Sequence, residues 1–250
     1  MITGGTNQRG AFILLEGVDR CGKTTQCSLL LKHLLSISVA AVAMRFPDRT
    51  TSVGQLINGY LASGQDLDDR AVHLLFSANR WEAAPKLAQD LADGKTIVCD
   101  RYAYSGVAFS SAKTKEDRKS QNDSGDLSID WCKSPDVGLP APDTVIFLDL
   151  SQEESEKRGG YGGERYEKRD LQMRVRQRFA ELQEMDEKEK TAPWHVVNAA
   201  QSIEEVQADV NKIVDETLKR VAEGAPLKTM FQEGIYSLPS PSAKNEDGAN

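Results

Sequence analysis

Gly17-Val18-Asp19-Arg20-Cys21-Gly22-Lys23-Thr24 restricts the architecture of this chain more than any other segment of its 250 residues. It is a complete G-x-x-x-x-G-K-[ST] loop, entered from the apolar run Phe12–Leu15 and left into a stretch of helical character. Phosphate chemistry needs that order. Gly17 and Gly22 let the backbone curl so that successive N–H groups, that of Cys21 among them, point inward at a polyphosphate. The following helix start adds partial positive charge on the same side. Lys23 is expected to reach the β- and γ-phosphates of ATP and the Thr24 hydroxyl to ligate Mg²⁺, with Thr25 beside them in the first helical turn. A GTPase, an ATPase and a small-molecule kinase all use such a loop, so it does not choose among them.

The rest of the chain supplies the fold such a loop requires. Five short apolar runs read as buried strands: Phe12–Leu15, Val39–Arg45, Thr96–Cys99, Thr144–Leu148 and His195–Val197. They alternate with helical patterns, which predicts an α/β domain built on a five-stranded parallel sheet with helices on both faces. Leu30, Leu34 and Leu35 give the first helix a buried stripe. Leu171, Val175, Phe179, Leu182 and Met185 form a second stripe, and Val206, Val210, Ile213 and Val214 a third. Ser202 and Glu205 have capping-box spacing ahead of the last helix. One domain over 1–223 is expected, with a charged loop insertion at 113–128, a glycine-dense segment at 158–170 that is either a mobile lid or a plain flexible loop, and a disordered tail at 224–250.

Composition narrows the partners. A formal charge of −7 gives no reason to expect nucleic acid or an anionic membrane as partner, so a phosphate substrate needs a local cluster of cations. No run approaches the ~20 apolar residues of a membrane helix, and the N-terminus lacks the apolar stretch of a signal peptide. The four cysteines form no C-x-x-C pair, which fits reduced thiols in a cytosolic or nuclear protein.

Such a cluster is readable. Arg20, inside the loop, is either a solvated surface side chain or a guanidinium bridging the transferring phosphoryl group. Asp19 beside it would be repelled by triphosphate, and makes sense facing a sugar hydroxyl of a second substrate. Asp100-Arg101-Tyr102 ends the third strand, where a carboxylate can hold Mg²⁺ directly or through water and a guanidinium can fork onto phosphate. Arg45 ends the second strand at the same sheet edge. For each, structural ion pairing is the alternative. Phe76 and Arg80 share a helix face four residues apart, as a buried aromatic with an exposed arginine, or as a stacking platform with a donor for a base carbonyl.

With these residues the chain resembles the thymidylate kinase family, in its eukaryotic-type branch with an arginine in the phosphate loop. The likeness runs through Phe12–Gln26, Arg45–Asp48, Val72–Trp81, Val98–Ala112, Trp131–Pro142 and Arg158–Glu167. The 113–128 insertion and the long tail depart from the family pattern and touch none of its motifs. The resemblance implies an α/β P-loop kinase fold, and transfer of the ATP γ-phosphate to dTMP by a cytosolic or nuclear homodimer. It implies that Phe76 stacks on thymine, that Arg80 donates to a base carbonyl, and that Arg45 and Arg101 hold the acceptor phosphate, with Phe46 adjoining. Asp19 would bind the 3′-hydroxyl, and Tyr102 would lie where a 2′-hydroxyl would intrude. Ser105, Gly106 and Ser110 would line the base pocket, Arg158 would pack near adenine and Tyr166 near thymidine. Arg20, Lys23 and Arg101 would be catalytic. Kinases for UMP, CMP or AMP, and a non-catalytic nucleotide-binding protein, are the alternatives.

Overall fold

The computed structural model describes residues 8–62, 67–114, 127–158, 166 and 169–242. Chain order is β1 (Phe12–Glu16), α1 (Lys23–Ser36), β2 (Ala41–Arg45), α2 (Ser52–Leu61), α3 (Asp69–Ala92), β3 (Thr96–Asp100), α4 (Ala103–Ser111), α5 (Ile129–Lys133), β4 (Thr144–Asp149), α6 (Gln152–Lys157), α7 (Arg169–Glu189), β5 (Trp194–Asn198) and α8 (Ile203–Ala222). The five strands form one sheet in the order β2-β3-β1-β4-β5, and every pairing is parallel.

Strand alternation divides the core between the two faces of the sheet. Phe12 and Leu14 of β1 join Ile97, Cys99, Val145 and Phe147 in a cluster that takes Leu87 and Leu91 of α3, Val107 of α4 and Val175, Phe179 and Leu182 of α7. Ile13 and Leu15 point the other way, joining Val98, Ile146, Leu148, Leu30, Leu34, Val206, Val210 and Val214 under α1 and α8. β1 is buried throughout, as a central strand with both faces covered must be. The two edge strands depart from the expectation of burial: β2 has no buried residue and Val196 of β5 is 54 % exposed. An edge strand keeps one flank and part of its faces in solvent.

Leu35 does not join the α1 stripe. One helical step beyond Leu34 turns it outward, and it is 54 % exposed. The 113–128 insertion is shorter than expected, because Lys113 and Leu127 are buried and Ser128 caps α5 by accepting from the Trp131 N–H. The Lys113 ammonium donates to Asp69 and to the Tyr60 hydroxyl, which is why a charged residue can be buried there. Residues 115–126 lie outside the described residues. The tail is ordered from 224 to 242: Leu227 and Met230 are buried in the α3/α4 cluster, and the Tyr236 N–H donates to Leu227 O. Its apolar residues are too widely spaced for a periodic signal, yet Phe231, Tyr236 and Leu238 also pack against that cluster, while Ile235 stays exposed. Residues 243–250 lie outside the described residues. The capping box is present, with both Ser202–Glu205 hydrogen bonds formed.

Asp186 of α7 ties two elements together, accepting from the Tyr104 hydroxyl and, at 2.9 Å, from the Trp194 indole N–H. Burial raises its carboxyl from the ordinary 3.8 to about 6, against the pull of those two donors. The folded state therefore holds this proton more tightly than the unfolded chain. The stabilisation is complete below pH 3.8 and is lost as pH rises through about 6. Relative to Asp186→Asn, the unsubstituted protein should gain about 2–3 kcal/mol between pH 7.5 and pH 4 in urea unfolding. A pH-independent difference would refute the assignment.

Candidate active site

The strand order reverses at β1, which leaves a crevice at the carboxyl ends of β1, β2 and β3. Register sets Leu15 and Arg45 beside Asp100, so the ends of the three strands are level. From there the chain turns sharply: Gly17 has φ 146°, Arg20 64°, Gly22 98° and Arg101 68°. Gly17 cannot be replaced without moving backbone, because a Cβ there would stand 2.7 Å from Leu148 O.

Lys23 is buried and donates to Gly17 O at 3.1 Å and Val18 O at 2.7 Å, with Cys21 Sγ at 3.4 Å. Its ammonium thus sits inside the loop. Thr24 Oγ1 donates to Asp100 Oδ2 at 2.8 Å, and Arg45 Nε lies 3.8 Å from the same oxygen. Thr25 is exposed on α1. Arg158 bridges two loops, donating to Arg20 O at 3.3 Å and Ala199 O at 2.5 Å, and Nη1 lies 3.6 Å from a Cβ placed at Gly22. Residues 159–165 and 167–168 of the expected lid lie outside the described residues.

Beside this loop lies an open cleft. Asp19, Arg45, Phe46, Phe76, Arg80, Arg101, Tyr102, Ser105, Gly106, Ser110 and Tyr166 all line it, together with Leu61 and Phe109. Every residue expected to hold an acceptor is therefore on one wall or another of a single cavity. Asp19 and Arg101 form an ion pair at the boundary between cleft and loop. Burial opposes the charge on Arg101, but the carboxylates of Asp19, Glu16 and Asp100 outweigh it and raise its pKa. Arg20 lines the neighbouring depression with Asp19 and Arg45.

The structure also adds residues that the sequence reading did not single out. Glu16 is fully buried at the end of β1 and accepts from the Tyr102 and Ser105 N–H groups and from Ser105 Oγ at 2.6 Å. It caps α4 from another element. Burial raises its pKa, which the Arg101 charge and these donors counter. Ser105 Oγ in turn accepts from Arg101 at 3.1 Å, so Glu16 sets the position of the guanidinium. Asp136, also fully buried, accepts from Arg80 Nε at 3.0 Å, Arg80 Nη2 at 2.5 Å and Ser77 Oγ at 2.8 Å. Arg80 is consequently buried and fixed, where the simplest reading of its helix face had it exposed. The guanidinium lies against Gly106, where a Cβ would approach within 2.8 Å of it. Tyr102 is wedged between Phe12 and Phe46, and its hydroxyl makes no hydrogen bond among the described residues. Tyr166 packs on Tyr60 and Phe109.

Residues 15–210 match the family model described as thymidylate kinase. The chain belongs to the thymidylate kinase family. It is 48% identical over 225 residues to the thymidylate kinase of Danio rerio, covering 90% of this chain and 99% of that protein. The human thymidylate kinase is 44% identical with the same coverage. The solved thymidylate kinase of Candida albicans superposes with a TM-score of 0.79 at 38% identity, covering 90% of this chain and all of that one. In a thymidylate kinase, a phosphate-binding loop sharing a wall with an arginine-lined cleft lets two anions meet end to end. Among the described residues no helix is long and apolar enough to cross a membrane.

Proposed function

We propose that this member of the family transfers the γ-phosphoryl group of ATP to dTMP, giving dTDP and ADP. The observation that carries the proposal is the gathering of all the acceptor residues in one cleft that meets the phosphate loop at Asp19 and Arg101. The acceptor phosphate is already a nucleophile at neutral pH, since its second pKa is about 6, and no general base is assigned. Catalysis is alignment plus charge neutralisation. Lys23 leaves its loop carbonyls for the β- and γ-phosphates, and Arg101 and Arg45 hold the acceptor phosphate. Arg20 bridges the transferring group, which would put the chain in the branch with its catalytic arginine in the loop. Phe76 stacks on the base, Arg80 donates to its carbonyl, Asp19 takes the 3′-hydroxyl, and Tyr102 closes the space of a 2′-hydroxyl. Arg158 faces adenine and Tyr166 the thymidine.

Mg²⁺ fits the oxygen pair of Thr24 and Asp100, two hard donors 2.8 Å apart at the mouth of the loop. When bound there it would neutralise β- and γ-phosphate charge. We extend the resemblance to a homodimer in the cytosol or nucleus.

Steady-state rates with ATP, Mg²⁺ and a panel of monophosphates test the assignment. dTMP should give the highest kcat/KM, and dUMP, which lacks one methyl, should be about 10–200-fold poorer. A preference for AMP or CMP would overturn it, and absence of turnover on every monophosphate would favour a non-catalytic nucleotide-binding protein.

A further inference from the structure

His73 is fully buried on α3, two helical turns before Arg80, and is no part of the phosphate chemistry. Its Nε2 lies 2.9 Å from Cys132 O and its Nδ1 2.8 Å from Ser110 Oγ. A carbonyl oxygen only accepts, so the ring hydrogen is on Nε2. A neutral ring then has a bare lone pair at Nδ1, and the Ser110 hydroxyl must donate to it. Burial, with the Arg80 charge adding to it, lowers the His73 pKa to about 4, which keeps the ring neutral at physiological pH. Ser110 lines the cleft with its proton already committed, so toward a ligand Oγ offers lone pairs alone. Gly106, one turn earlier on α4, is where the Arg80 guanidinium lies, and that group offers N–H alone.

A fixed donor beside a fixed acceptor matches a ring carbonyl next to a ring N–H. That is the edge of a 2,4-dioxopyrimidine at O4 and N3. The cytosine edge, an amino group next to a bare nitrogen, has the opposite pattern. We propose that His73 is a positioning residue for base selection: by taking the Ser110 hydroxyl proton, it fixes Ser110 as the acceptor for the N3–H of thymine or uracil. The inference rests on the pyrimidine-monophosphate reading of the cleft given above.

The probe is 5-methyl-dCMP, which differs from dTMP only in the donor–acceptor pattern at ring positions 3 and 4. Dissociation constants for both ligands, measured by calorimetry, give a selectivity ratio that needs no turnover. His73→Leu frees the Ser110 hydroxyl to rotate, so the ratio should fall about tenfold or more, through relief of one of the two mismatches in the 5-methyl-dCMP complex. Ser110→Ala should lower it similarly. A ratio unchanged within about threefold in His73→Leu, with both ligands weakened equally, would make His73 a packing residue and overturn the proposal. The unsubstituted protein supplies a second arm. Long-range ¹⁵N correlation of the His73 ring at pH 7 should give the Nε2–H tautomer, and an Nδ1–H tautomer or a cation would overturn it too. Failure of the pyrimidine reading itself looks different, because neither ligand would bind the unsubstituted protein.

Discussion

Arg20→Ala should lower kcat by about three orders of magnitude while KM for ATP changes only a few-fold. The reasoning is geometric. Arg20 stands in the loop itself, beside Asp19, whose carboxylate pairs with Arg101 of the cleft. A guanidinium at this boundary has more to neutralise as charge spreads over the transferring group than when ATP alone is bound, so the loss belongs to the transition state. Backbone conformation offers a control. Arg20 has φ 64°, a region that costs a non-glycine residue about 1–2 kcal/mol. Arg20→Gly relieves that strain while removing the same charge. It should be at least as stable as the parent protein and as slow as Arg20→Ala. A kcat within about threefold of the parent in either variant would remove Arg20 from the mechanism. A slow alanine variant with an active glycine variant would mean that loop geometry, not the guanidinium, mattered.

What the sequence made legible is what must be contiguous. The loop from Gly17 to Thr24 is readable because phosphate binding needs glycines, lysine and hydroxyl at fixed steps along one curl of chain. The strands are readable because a parallel sheet covered on both faces demands unbroken apolar runs. Many of the residues that line the cleft were legible through short motifs after β2, in α3 and after β3, whereas Leu61 and Phe109 were not. The groups that orient those residues were hidden, because each acts across the fold. Glu16 caps Tyr102 from 86 positions away, Asp136 pairs with Arg80 across 56, and His73 meets Ser110 across 37. A carboxylate at the end of an apolar strand, as Glu16 is, was the one signal that could have been caught. Leu227 and Met230 escaped for another reason: proline and serine dilute the segment around them, and its order comes from the core it lies on.

Asp136→Ala should be the most destabilising single change at the site, about 3–5 kcal/mol. Asp136 and Arg80 are fully and almost fully buried, and the carboxylate takes both the Nε and Nη2 hydrogens of the guanidinium. The cost comes less from the lost attraction than from the charge left behind without a partner or water. In a chain of this size that corresponds to a fall in Tm of roughly 6–20 °C. Asp136→Asn keeps one acceptor oxygen but turns an amide NH₂ toward the second guanidinium N–H and removes the counter-charge, so it should lose only somewhat less than the alanine variant. The double replacement Arg80→Met with Asp136→Leu separates stability from recognition. It removes both charges, so it should recover most of the lost stability, since a buried ion pair contributes little beyond an apolar pair of similar volume. It should also leave dTMP binding severely weakened, because the donor at the base edge is gone. If the double variant bound dTMP as tightly as the parent protein, Arg80 would be a structural residue and the pair would exist only to join α3 to the turn that ends at Asp136.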